Sequence, residues 1–170
     1  MDVELTVDPG KRGCGYAWWT PPGLLCAGYA PGASEGTGPD FWVACARGVA
    51  ATRPGGTQRV VRVSVETMRI YTTGAARPAD LLHLQGVSAA ICAWFAAQEG
   101  SAVRGIEPAA WKGQVPRKIM GARVEQKIRA AGWWDKVIVP GRATELNDAM
   151  HAVGIGLYFR ERVDGKGTSG

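Results

Sequence analysis

Residues 2–19 contain the pattern that most constrains the fold, a short strand that ends in an acidic residue and a tight turn. Over residues 3–7 apolar side chains alternate with polar ones, the period-two pattern of a half-buried strand. The strand ends at Asp8, because Pro9-Gly10 is a turn signal, and a second apolar run follows at residues 16–19. The sequence therefore predicts a β-hairpin with a carboxylate at the carboxyl end of its first strand, where α/β sheets build their sites.

A second strand of the same design is predicted at residues 60–66, and it also ends in an acid. Valines at alternate positions give it one apolar face, and Glu66 is its last polar residue. A helix predicted for residues 41–51, with Asp40 as its N-cap, provides the crossover that a parallel pair of strands needs. Parallel pairing would place Asp8 beside Glu66; without it, both are ordinary strand-end acids.

The rest of the pattern completes an α/β chain. Further strands are predicted at residues 24–29 and 102–106, with an isolated short strand at 137–139. Further helices are predicted at residues 80–98, in a basic segment ending near residue 132, and from a cap at Thr144 to about residue 160. The apolar face of helix 80–98 is so broad that we expect it to pack on the sheet and on a second subunit. Residues 1–163 are predicted to form a single domain and residues 164–170 a flexible tail.

Length and composition narrow the classes of protein that remain. The chain has 170 residues, enough for one domain with a core. We expect no membrane contact and a cytoplasmic location, because no apolar run reaches the length of a span and Met1-Asp2 does not open a secretory signal. The cysteines are scattered and are predicted to be reduced thiols: Cys14, Cys26, Cys45 and Cys92.

The net charge of +5 is concentrated in one part of the chain. Between residues 112 and 129 six basic side chains stand against Glu125 alone. Two interpretations remain open, a solvated helix face and a surface that follows nucleic-acid phosphates.

The last predicted helix brings a carboxylate and an imidazole to one face, because Asp148 and His151 are three residues apart. If that face covers the ends of the first and fourth strands, both groups converge with Asp8 and Glu66. Three carboxylates together would repel and protonate without a cation, so the set predicts hard divalent ions, Mg²⁺ or Mn²⁺. Two such ions about 3.5–4 Å apart serve in-line displacement at phosphorus. Glu145, one helical turn before Asp148, is a candidate only for the surroundings of the metal ligands, not for a ligand itself.

These motifs together resemble those of RuvC-type Holliday junction resolvases in the RNase H-like superfamily. Asp8-Pro9-Gly10 followed by Gly13-x-Gly15-x-Ala17 looks like the start of that family. Glu66 matches its second acid, and Asp148-Ala149-Met150-His151 looks like its last helix. The segment Trp111-Lys112-Gly113 is similar to phage-borne members, and such an origin would place the protein in the cytoplasm of a bacterial host.

The resemblance implies a fold, an activity and partners. The fold is a five-stranded mixed sheet of order 3-2-1-4-5 with an antiparallel second strand, flanked by helices. The activity is paired, symmetric nicking of a four-way DNA junction by a homodimer, with two Mg²⁺ or Mn²⁺ ions per site and helix 80–98 at the dimer contact. The implied catalytic and metal-binding residues are Asp8, Glu66, Asp148 and His151, and the predicted DNA-binding residues are Lys112, Arg117, Lys118, Arg69 and Tyr71.

Departures from the family leave some properties open. His151 stands where many members have a second aspartate, and the loop after Glu66 lacks the aromatic residue expected to wedge into the junction, for which Met68 and Tyr71 are nearby candidates. Cut-site preference and any branch-migration motor stay undefined. The alternatives are a broader branched-DNA or RNA-processing nuclease of the same fold, and a junction-binding protein that does not cut. Sugar kinases and actin-like ATPases begin similarly but need two such domains.

Overall fold

A mixed sheet of five strands forms the centre of the molecule, in a computed structural model that describes residues 1–32, 38–55, 58–68 and 77–164, with side chains up to residue 161. The strands are β1 (Asp2–Pro9), β2 (Gly13–Thr20), β3 (Gly23–Pro31), β4 (Arg59–Glu66) and β5 (Ala102–Ile106). Their order is β3-β2-β1-β4-β5. β2 is antiparallel to β1 and β3, whereas β1 with β4 and β4 with β5 are parallel. The predicted strand order and the antiparallel second strand are confirmed.

Helices cover both faces of the sheet. They are α1 (Pro39–Ala51), α2 (Pro78–Glu99), α3 (Pro108–Lys112), α4 (Arg117–Ala130) and α5 (Ala143–Tyr158), which continues as a wider π-helical segment, Phe159–Asp164. The apolar side chains of β1 pack with α1 and α2 in one core, whereas α4 and α5 pack with β2 and β3 in a second. The polar face of β1 and β4 therefore lies under α5, which buries Thr6, Asp8, Ser64 and Glu66.

Three local predictions are wrong, two at helix starts and one at a short strand. Asp40 is not the N-cap of α1; Gly38 is, and proline at the first helical position fixes the start. Thr144 lies inside the first turn of α5, whose N-cap is Arg142. Residues 137–139 do not form a strand, because only Val137 makes a β-bridge, to Ala27 of β3. Propensity fixes such boundaries only to within a few residues.

α2 is longer and more apolar than the sequence prediction allowed. By length and composition alone, its 22 residues could form a membrane span. The helix contains no long uninterrupted apolar run, because His83 and other polar residues lie within it. Val87, Ile91 and Phe95 are buried against the sheet, as in the core helix of a globular domain. The opposite side of the helix is exposed.

Candidate active site

The register of the two central parallel strands places two acids at one edge of the sheet. Val7 of β1 pairs with Val65 of β4, so Asp8 and Glu66 follow at neighbouring positions where both strands end. Both side chains point to the α5 face, and His151 of α5 lies over them. One ligand atom from each of the three residues falls within 4.8 Å of the others, and their exposed fractions are 0%, 1% and 0%. The crossover thus brings together groups that are far apart in the chain.

Small residues let α5 approach the sheet closely enough to place His151. A Cβ on Gly15 of β2 would lie 2.0 Å from the carbonyl oxygen of Asp148, and a Cβ on Gly156 would lie 2.3 Å from the ring of Trp19. A Cβ on Gly154 would likewise lie 2.6 Å from the ring of Trp111. The glycines that weaken α5 as an isolated helix are therefore required by its packing.

A buried hydroxyl holds α5 against β1 beside the imidazole. Thr6 Oγ1 donates to the carbonyl oxygen of Ala152 at 2.7 Å, and Trp19 Nε1 donates to Thr6 Oγ1 at 2.9 Å. Because Ala152 follows His151 directly, this contact fixes the height of the imidazole over β1.

Each of the three clustered residues keeps one buried atom without a hydrogen-bond partner among the described residues. These atoms are Asp8 Oδ1, Glu66 Oε1 and His151 Nδ1. The other ring nitrogen, His151 Nε2, lies 2.9 Å from the carbonyl oxygen of Arg117, so it carries the proton and Nδ1 presents its lone pair. His151 Nδ1 lies 3.6 Å from Asp8 Oδ2, so two carboxylates and a neutral imidazole meet in a dry site, which favours a bound cation or a proton. Two carboxylate oxygens and one imidazole nitrogen suit Mn²⁺ or Mg²⁺.

Burial dominates the protonation of these groups. It raises the pKa of Asp8 well above its usual range, the charge of Glu66 adds to the shift, and Arg117 opposes the shift without cancelling it. Burial also raises the pKa of Asp148. For His151, burial and the nearby Arg117 lower the pKa to about 3, so the imidazole is neutral, as a metal ligand must be.

Asp148 joins the site through an arginine rather than through the cluster itself. Arg117 Nη2 lies 2.5 Å from Asp8 Oδ2 and 2.7 Å from Asp148 Oδ1. Lys112 Nζ lies 3.5 Å from Glu66 Oε2. Two of the residues predicted to bind DNA therefore face the acids, at the mouth of the site.

The remaining predicted residues lie elsewhere. Lys118 is exposed on α4, and Glu145 lines a shallow recess with Asp148, Lys11, Arg12, Tyr29 and Thr144. Arg69 and Tyr71, the DNA-binding candidates of the loop after β4, lie outside the described residues. Met68 is half-buried at the end of the described part of that loop.

Trp111 is a site residue that the sequence indicated only as part of a motif. Its indole Nε1 donates to Glu66 Oε2 at 2.7 Å, and its ring meets the ring of His151 edge to face, with centroids 5.2 Å apart. Trp111 therefore orients two of the three clustered side chains at once. No periodic signal identifies it, because the five-residue helix α3 is placed by tertiary packing.

The strand order is that of an RNase H-like α/β fold, and the buried cluster adds a candidate metal site where its central parallel strands end. No protein-family model and no curated protein sequence matches the chain. Solved structures do match, at low sequence identity. RuvC of Thermus thermophilus in complex with a Holliday junction substrate is 16% identical, with 94% of this chain and 95% of that chain covered and a TM-score of 0.57.

Two other solved structures are similar. Another structure of Thermus thermophilus RuvC is 14% identical over 93% of this chain and 95% of that chain, with a TM-score of 0.55. The yeast mitochondrial Holliday junction resolvase is 10% identical over 92% of this chain and 79% of that chain, with a TM-score of 0.53. Within the RNase H-like class, the fold of this chain is therefore that of RuvC-type resolvases, as the sequence motifs predicted.

Proposed function

We propose that this chain is a metal-dependent, structure-specific DNA endonuclease that resolves four-way junctions by paired symmetric nicks. The observation that carries the proposal is the set of three buried ligand atoms on Asp8, Glu66 and His151, which have no hydrogen-bond partner in the part of the chain that the structure describes and lie where β1 and β4 end. A purely structural cluster would satisfy these atoms internally, because unpaired buried acceptors destabilise a fold. The RuvC-type fold supports the choice of DNA junctions as substrate.

The donor set fits divalent ions held in two positions. Asp8, Glu66 and His151 would hold one ion, and Asp8 with Asp148 would hold a second. Bound there, the ions supply Lewis acidity that activates water and stabilises the departing 3′ oxygen. The protein itself supplies fixed ligands in a dry setting: α5 and Trp111 keep water from the inner side of the cluster, so its charges act in a low dielectric.

Positive side chains at the mouth are suited to the phosphate that is cut. Lys112 and Arg117 lie against the acids, and the side chain of Arg117 is 40% exposed, so it can turn towards an incoming phosphodiester, whereas Lys112 is 12% exposed and stays beside Glu66. Lys118 extends the positive surface along α4. Contacts of this kind supply affinity without sequence preference.

Paired nicking requires two sites related by symmetry, and the exposed side of α2 is suited to a homodimer contact. Leu82 is 57% exposed, and the exposed alanines farther along the helix are Ala89, Ala93, Ala96 and Ala97. No charged residue occurs between Asp80 and Glu99. Small apolar side chains let two helices pack closely, which supports a two-fold contact through α2.

Cleavage of a synthetic mobile four-way junction tests the function. Purified protein is incubated with the junction, a flap and a linear duplex, in Mg²⁺, in Mn²⁺ and in EDTA. We expect symmetric nicks in the junction, in the presence of metal only. Asp8→Asn should abolish cleavage and preserve junction binding, whereas the control Asp2→Asn, which removes an exposed carboxylate paired with Arg59, should cleave normally.

Other outcomes of the same assay identify the alternatives. Equal cleavage of flap and junction would indicate a broader branched-DNA nuclease. Junction binding without metal-dependent cleavage would indicate a binding protein. Normal cleavage by Asp8→Asn would refute the site assignment.

A further inference from the structure

Arg117 contacts some of the acceptor atoms of the candidate site, and the Asp8 oxygen that it contacts, Oδ2, also lies 3.6 Å from His151 Nδ1. A single nitrogen of its guanidinium, Nη2, contacts both Asp8 Oδ2 and Asp148 Oδ1. The other oxygen of Asp8 stays unpartnered among the described residues, together with Glu66 Oε1 and His151 Nδ1. The Asp8–Asp148 half of the site is thus already paired with a cation of the protein. In the other half Lys112 Nζ lies 3.5 Å from Glu66 Oε2, but it makes no hydrogen bond with the unpartnered atoms.

The backbone holds Arg117 in this place. It is the first residue of α4, and its carbonyl oxygen accepts a hydrogen bond from His151 Nε2 at 2.9 Å. The carbonyl therefore fixes the imidazole of the unpartnered half while the side chain closes the Asp8–Asp148 half. A guanidinium between two carboxylates repels a divalent ion that uses the same oxygens, because both are cations.

The side chain can leave without disturbing the core. Its exposed fraction is 40%, whereas Asp8 is completely buried, so the guanidinium can rotate towards solvent. An arginine binds a phosphate as well as a carboxylate, often through two parallel hydrogen bonds. A DNA phosphate at the mouth of the site is therefore a competing partner for it.

We propose that Arg117 is an internal cation that closes the Asp8–Asp148 half of the site in the DNA-free protein. The free protein then binds one divalent ion, through Asp8, Glu66 and His151. A phosphate of the bound DNA draws the guanidinium away, and the second ion position opens with the substrate in place. This inference rests on the proposed function, because it concerns the same metal site, and it links the complete metal set to the presence of DNA.

The number of Mn²⁺ ions bound without DNA tests the inference. Calorimetric titration of the full chain gives the stoichiometry, and electron paramagnetic resonance reports whether two Mn²⁺ ions are close enough to couple. We expect one uncoupled ion in the wild type and two coupled ions in Arg117→Ala. Arg117→Gln, which keeps a polar side chain but removes the charge, should also admit the second ion, and it guards against a folding defect of the alanine variant.

Two further variants make the result specific. Arg117→Ala combined with Asp148→Asn should return to one ion, because the second position loses its carboxylate. Arg123→Ala, a control on the same helix, should bind one ion like the wild type. Two ions in the DNA-free wild type, or a single ion in both Arg117 variants, would overturn the inference alone. Absence of Mn²⁺ binding in every variant would overturn the proposed function and the inference with it.

Discussion

Asp8 is the residue on which the charge balance of the site depends. It is completely buried, its Oδ2 accepts a hydrogen bond from Arg117 and lies 3.6 Å from His151 Nδ1, and its Oδ1 has no hydrogen-bond partner among the described residues. A carboxylate in this setting is unfavourable unless a proton or a cation compensates it. The raised pKa of Asp8 follows from that setting, and it makes metal binding compete with protonation.

The pH dependence of metal binding follows from the direction of this shift. The pKa of folded Asp8 lies above its unfolded value of about 3.9, so its contribution to stability is present below that pH and is lost as pH rises through the folded pKa. A divalent ion replaces the missing proton. His151, with a pKa of about 3, stays neutral throughout. Mn²⁺ should therefore raise Tm more at about pH 7.5 than at about pH 5.5.

Thermal unfolding with and without Mn²⁺ at both pH values measures this difference. At an ion concentration of about 100 times Kd the stabilisation reaches about 2.7 kcal/mol. Asp8→Asn should remove both the stabilisation and its pH dependence, and Asp2→Asn should keep them. An identical Mn²⁺ effect at the two pH values would contradict the assignment of Asp8 as the titrating ligand.

Trp111 offers a test of how the ligands are oriented. Trp111→Phe keeps an aromatic ring beside His151 and removes the N–H that Glu66 Oε2 accepts. The unpaired buried oxygen should lower the free energy of unfolding by about 1–3 kcal/mol. Loss of this orienting contact should weaken Mn²⁺ binding by about 10–100-fold. Urea denaturation and Mn²⁺ titration measure the two effects.

Trp134→Phe is the matched control for that substitution. Trp134 is half-buried and packs on the guanidinium of Arg129, away from the acids, so its replacement should leave Mn²⁺ affinity unchanged. Equal Mn²⁺ affinity in Trp111→Phe and the wild type would show that the indole N–H does not position Glu66.

The residues of the site differ in how far the sequence predicts them. Asp8 and Glu66 are readable because each closes a strand of alternating pattern, and Asp148 with His151 because a spacing of three is one helix face. The positions of Lys112 and Arg117 against the acids are not readable, since they depend on where the α3–α4 segment returns over the sheet. The net charge of this segment predicts a basic surface, but it does not reveal that two of the basic side chains pair with buried carboxylates.

At the level of elements, α5 can lie close to β2 because Gly15 of β2 has no side chain. Gly15 of β2 lies directly under the peptide group of Asp148. The strand and helix periods predicted both elements. Helix starts were predicted less well, because Asp40 and Thr144 are good caps by residue type but the described helices have no side-chain cap hydrogen bond at those ends.

Substitution of Gly15 tests whether this close approach matters to the site. In Gly15→Ala the new Cβ would meet the Asp148 carbonyl oxygen at 2.0 Å, so α5 must shift away from β2. We expect a loss of about 1–3 kcal/mol in the free energy of unfolding, as for other overpacked cores. Mn²⁺ affinity should fall as well, because Asp148 and His151 move with the helix.

Gly141→Ala is the control, since no described atom lies within 4 Å of the position its Cβ would take. It should change neither stability nor Mn²⁺ binding measurably. Wild-type Mn²⁺ affinity in a folded Gly15→Ala protein would show that the placement of α5 tolerates a shift without loss of the metal site.

At the scale of the whole molecule, no described residue packs over the exposed side of α2. The exposed side of α2 carries Leu82 and a row of alanines, whereas its buried side completes the core with Val87, Ile91 and Phe95. A helix that is apolar all round is normally buried on all sides. The paired cleavage that we propose would require a second copy of the chain there, and a standard interface buries about 1,600 Å² in total.

Ala93→Glu should therefore convert a dimer into a monomer, and the monomer should still hold metal but no longer cut in pairs. Ala93 is exposed in the middle of the α2 surface, and a buried like-charge pair across a two-fold axis is strongly unfavourable. Sedimentation at micromolar concentration should give a dimer for the wild type and for the control Ala122→Glu, an exposed alanine of α4, and a monomer for Ala93→Glu.

On a supercoiled plasmid with an extruded cruciform, two nicks within one encounter give linear DNA and one nick gives an open circle. The wild type should therefore give mainly linear product and Ala93→Glu mainly open circles, with equal Mn²⁺ binding. Linear product from a monomeric Ala93→Glu protein would mean that each chain cuts both strands by itself, and the symmetric arrangement would then have no role in resolution.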